Sequence, residues 1–118
     1  MSEKKVLGIL GGLGPMSSVY FYEMLTSHTF ALTDQQHLNI LISSRADTPD
    51  RTDFITGRST KNPLPVMISE VKRLAEAGAG LVAIPCNTAH YFYRGVAEGS
   101  PIPILNIIKE TSKNRRFP

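Results

Sequence analysis

A chain of 118 residues with 42% hydrophobic content has the size and apolar fraction of one globular domain, which excludes a disordered or low-complexity chain. Its formal charge of +3 is concentrated in Lys113, Arg115 and Arg116. The body is therefore close to neutral and lacks the aromatic-interleaved basic surface of a nucleic-acid binder. One cysteine excludes an internal disulfide framework, and no apolar run approaches the roughly 18 residues of a membrane span. With no secretory signal at the N-terminus, a reducing, cytoplasmic setting is expected.

Val6 to Leu10 is a short apolar run that stops at Gly11-Gly12-Leu13-Gly14-Pro15, a strand followed by a glycine turn. Pro15 falls in the first turn of a helix expected over Met16 to Thr29. Leu38 to Ile42 predicts a second strand, and Ser43 to Pro63 a polar loop of unusual length. Met67, Val71, Leu74, Ala75 and Gly78 share one face of a helix, with Gly78 placed to end it in a left-handed turn. Leu81 to Ile84 predicts a third strand, Asn87 to Val96 a short helix and Ile102 to Leu105 a fourth strand. Strand and helix alternate throughout. This predicts an α/β fold: a single doubly wound lobe with a mainly parallel four-stranded sheet flanked by helices.

Ligands of such sheets sit at the carboxyl ends of the strands. The glycine turn, the polar loop and Cys86 all fall at those ends. A lone cysteine is ordinarily an apolar filler. Cys86 instead follows a buried strand at the expected start of a helix, where free N–H groups favour a thiolate able to act as base or nucleophile. Arg51 is either a solvated loop charge or a bidentate carboxylate ligand, and Asp50 either its partner or a turn residue. The glycine turn approximates a dinucleotide fingerprint, but the third glycine is replaced and no acidic residue ends the second strand. His90, one helical turn beyond Cys86, either tunes the thiol or is a hydrogen-bonded structural histidine. Tyr91, Phe92 and Tyr93 read as packing residues. His28, His37 and one cysteine form no metal set.

Gly8 to Pro15, Pro49 to Thr52, Ala77 to Gly80, Ile84 to Tyr93, Ile102 to Asn106 and Glu110-Thr111 together resemble the N-terminal lobe of the aspartate/glutamate racemase family, in its aspartate racemase branch. The glycine stretch is unspecific, whereas the Cys86 stretch is highly specific. The resemblance implies a pyridoxal-independent, metal-free 1,1-proton transfer at the α-carbon of an acidic amino acid, aspartate or glutamate, between two cysteines. On that basis Cys86 is one acid/base. Asn87 and Thr88 bind the α-amino and α-carboxylate groups, Arg51 holds the side-chain carboxylate, and the backbone around Gly14 and Met16 lines the pocket. The resemblance also implies a second lobe with the other cysteine. The expected organisation here is one lobe over residues 1–112, a basic tail over 113–118 and no second lobe, with inversion by this chain alone in doubt and self-association favoured. The alternatives are a non-catalytic module that binds acidic amino acids or a partner chain, and a thiol hydrolase or transferase using Cys86 with His90.

Overall fold

The computed structural model describes residues 5–86 and 88–105. Four parallel strands form one sheet: β1 (Val6–Gly11), β2 (Asn39–Ser44), β3 (Leu81–Ala83) and β4 (Ile104–Leu105), in the order β2-β1-β3-β4. The register pairs Val6 with Asn39 and Gly11 with Ser44 on one side of β1, and Leu7 with Leu81 and Ile9 with Ala83 on the other. β1 and β3 are the inner strands. Their apolar sequences follow from burial on both faces, as Ile9, Leu10, Val82 and Ala83 show.

Helices α1 (Pro15–His28) and α3 (Leu64–Glu76) cover opposite faces. A Cβ on Gly8 would meet Ala79, Val82 and the α3 residue Leu74, whereas one on Gly11 would collide with Ser18 of α1. Positions three apart on a strand point to opposite sides. α3 buries Met67, Glu70, Val71 and Leu74, the stripe expected of helical periodicity with an acid in its middle. It ends as predicted. Gly78 adopts φ +112°, Ala79 N–H donates to Leu74 O and Gly78 N–H to Ala75 O, the paired bonds of a Schellman cap.

Two segments differ from expectation. The long polar loop is shortened by β2, which continues to Ser44, and by α2 (Arg51–Ile55). The Asp50 side chain caps α2 by accepting from Asp53 N–H at 2.8 Å. Asp50 is thus the turn residue, not the partner of Arg51. The helix expected over Asn87 to Val96 is instead a 3-10 stretch, Thr88–Phe92, followed by α4 (Tyr93–Gly99). The tighter 3-10 winding eclipses residues i and i+3, and the two buried residues of this stretch, Ala89 and Phe92, have that spacing.

Candidate active site

The strand order reverses between β1 and β3. β1 is followed by a neighbour on one side, and the next strand is laid on the other. In open α/β sheets the ligand crevice opens at the carboxyl ends of the two strands flanking that reversal. Here those ends carry the Gly11–Gly14 turn and the Pro85-Cys86 segment.

Cys86 is held by the chain that leaves β3. Its N–H donates to Ile84 O at 2.9 Å, closing a three-residue turn around Pro85. Proline's fixed φ suits the centre of such a turn. The thiol is partly buried, and its Sγ lies 3.2 Å from Thr88 Oγ1. The α-helix expected to begin beside Cys86 starts only at Tyr93, so the local polar contact of the sulfur is this hydroxyl.

The glycine turn packs the loops together. Gly12 has φ +83°, and a Cβ there would lie 2.6 Å from Arg45 N. Its N–H donates to the buried Ser18 Oγ at 3.0 Å. Gly11 and Gly12 thus admit α1 and the loop after β2. This packing role explains the imperfect dinucleotide fingerprint. Gly14 is the N-cap of α1 and a Cβ on it would meet open space; Met16, in the first turn, is 56% exposed. Both lie on the carboxyl side of the sheet.

Arg51 opens α2. Its Nη1 donates to Pro49 O at 3.2 Å and Thr48 O at 3.4 Å, while Nε is buried without a hydrogen-bond partner among the described residues. Two other arginines near the crevice behave differently: Arg45 pairs with Asp47 and Glu70, and Arg73 pairs with Glu70. No ion pair among the described residues includes Arg51. Phe54 of α2 meets Phe92, ring centroids 6.0 Å apart, which docks the arginine-bearing helix against the segment that follows Cys86. Asn87 lies outside the described residues.

Sequence reasoning missed Glu70. Only 2% exposed, it accepts from Ser43 Oγ at 2.7 Å, Arg45 Nη1 at 3.0 Å and Arg73 Nη1 at 3.2 Å. Burial pushes its carboxyl up, but the hydrogen bonds from Ser43, Arg45 and Arg73 outweigh that and hold it below its ordinary range. The Arg45 guanidinium is raised in turn, mainly by its bond to Glu70. A cavity of about 430 Å³ lies beside this cluster, lined by β2 and α3, and does not include Cys86, Thr88 or Arg51. The readable signal was position: Glu70 sits at i+3 from Met67, inside the apolar stripe. Of the three aromatic residues, Phe92 is buried and Tyr91 is 67% exposed, so Tyr91 is not core.

A four-stranded parallel sheet with a cysteine at its topological switch point is an α/β arrangement that presents a thiol to a ligand crevice. The sequence matches the Asp/Glu/Hydantoin racemase family over residues 10–114, and the chain belongs to that family. It is 31% identical to the aspartate racemase of Picrophilus torridus, with a TM-score of 0.85, covering 92% of this chain and 46% of that one. An aspartate racemase homologue from Pyrococcus horikoshii OT3 is similar at 25% identity and a TM-score of 0.77, covering 98% and 50%. The broad-specificity amino-acid racemase RacX of Bacillus subtilis (strain 168) is 28% identical over 117 residues, which are 96% of this chain and half of that protein. The chain therefore spans about half the length of the relatives it matches. Among the described residues no helix is long and apolar enough to cross a membrane, and no three His, Cys, Asp or Glu side chains gather as a metal site would require.

Proposed function

We propose that this chain supplies one half of an amino-acid racemase site, with Cys86 as one of two thiols that exchange the α-proton of an acidic amino acid without pyridoxal. In thiolate form Cys86 would remove the α-proton and become a thiol. A second thiol, on the opposite face of the resulting carbanion, would return a proton and become a thiolate. Cys86 is the single cysteine of these 118 residues, so the second thiol comes from outside them. Thr88, beside the sulfur, and Asn87 would bind the α-amino and α-carboxylate groups. Arg51 would hold the side-chain carboxylate, and the backbone near Gly14 and Met16 would line the crevice.

The observation that carries this reading is the position of Cys86: at the carboxyl end of an inner strand, at the switch point, with its sulfur on a hydroxyl. The absence of a carboxylate partner for Arg51 among the described residues supports an anionic ligand. The test is proton NMR of L- and D-aspartate and L- and D-glutamate with the chain in deuterium oxide. Loss of the α-proton signal without inversion is the expected result for a one-sided site, and inversion would show that a second acid is supplied by association. No exchange by a folded chain would refute the catalytic reading in favour of an acidic-amino-acid binding module. The single cysteine is the observation that keeps this second reading open.

A further inference from the structure

Cys86 and His90 meet at one atom that is not the sulfur. Ile84 O accepts the Cys86 N–H at 2.9 Å and also lies 3.2 Å from His90 Nε2. A carbonyl oxygen only accepts, so Nε2 is the donor in this contact. Nδ1 is buried and has no partner among the described residues. Neither ring nitrogen is thus engaged with the thiol, and His90 reaches Cys86 only through the backbone.

The imidazole is itself braced. It stacks on the Tyr93 ring, interplanar angle 9° and centroids 5.9 Å apart, and Tyr93 Oη donates to Ile104 O of β4 at 3.1 Å. A continuous strut therefore runs from β4 through the Tyr93 hydroxyl and ring to the His90 ring, and on to the carbonyl that closes the Cys86 turn. β3 contributes only three residues to the sheet, so the segment leaving it has little ladder to hold it.

We propose that His90 and Tyr93 are positioning residues for Cys86, fixing the turn around Pro85 so that the sulfur stays on Thr88 Oγ1 and faces the crevice. The proposal rests on the reading of Cys86 as the working thiol, but its test needs no substrate. The second-order rate of Cys86 alkylation by iodoacetamide is measured near neutral pH, with a thermal melt as control, for the full chain and three variants. The thiolate is the species that reacts. His90→Phe keeps the ring and removes the donor; the expected loss is about ten-fold, the scale of losing one hydrogen bond, from Thr88 Oγ1, that stabilises the thiolate. His90→Gln places an amide N–H near the former Nε2 and restores most of the rate. Tyr93→Phe removes only the hydroxyl and costs about two- to three-fold.

Equal rates for the Phe and Gln variants at position 90, or a wild-type rate for His90→Phe, would overturn the proposal. If His90→Phe does not fold, the Gln and Tyr93→Phe variants decide: a slow Gln variant or an unaffected Tyr93→Phe overturns it. A His90-dependent alkylation rate in a chain that exchanges no α-proton would leave the strut standing and remove the racemase reading alone.

Discussion

Replacing the Cys86 sulfur by oxygen changes little in volume and removes the one group of the site able to act as a thiolate. The side chain is only partly buried and joins the edge of the core. Cys86→Ser is therefore expected to abolish α-proton exchange while leaving circular dichroism and the melting transition nearly unchanged; exchange retained by this variant would refute its assignment. Under the proposed function Arg51 would act on binding rather than chemistry. Loss of a charge-assisted contact of its kind costs about 1.5–3 kcal/mol, so Arg51→Ala should weaken acidic amino acids by roughly ten-fold or more in isothermal titration. Arg51→Lys should recover only part of this, because an ammonium lacks the planar fork that matches a carboxylate.

Among the elements, α3 and the turn after β1 bear the largest structural consequences. Glu70 is depressed in the folded state, so its contribution to stability is full above the unfolded value and is lost as pH falls through the folded one. Glu70→Gln should cost about 1–3 kcal/mol at neutral pH by leaving Arg45 and Arg73 without their shared carboxylate. It should also flatten the acid limb, so that urea midpoints of the two proteins converge as pH falls below the ordinary carboxylate range. Gly12→Ala combines a left-handed φ of +83° with a Cβ against the Arg45 backbone. A loss of more than about 2 kcal/mol is expected in the same assay. These two features also mark the limit of what sequence shows. Apolar runs located all four strands, and periodicity with Gly78 located α3 and its end. The positions of Cys86 and Arg51 beyond strand ends were legible because each follows an apolar run directly or through a short polar loop. Glu70 shows in the sequence only as an acid inside the apolar stripe, because two of its three partners, Arg45 and Ser43, lie 25 and 27 positions away and converge only when β2 and α3 pack. From sequence Asp50 reads as either a partner of Arg51 or a turn residue, and Asp53 three positions on is the signal that favours the cap. The shared Ile84 carbonyl has no signature at all, since a backbone acceptor is the same for every residue.

For the molecule as a whole, α1 is the anomaly. Its outer side exposes Met16, Val19, Tyr20 and Met24, and Ser18 is its one buried residue. A helix apolar on both sides is ordinarily enclosed, and an apolar patch left in water limits solubility. Val19→Lys combined with Met24→Lys should raise the concentration at which the chain stays monodisperse in sedimentation velocity, without lowering its melting temperature; unchanged behaviour would remove α1 as the source of any association. The sheet order has a further effect, on the time course of folding. Both neighbours of β1 come later in the chain, since Val6 pairs with Asn39 and Leu7 with Leu81. β1 is thus an inner strand that cannot complete its ladder until β3 has emerged from the ribosome. Distant parallel pairing of this kind is intrinsically slow, and in the interval Val6 to Leu10 is an apolar segment with two open edges, a natural client for a chaperone.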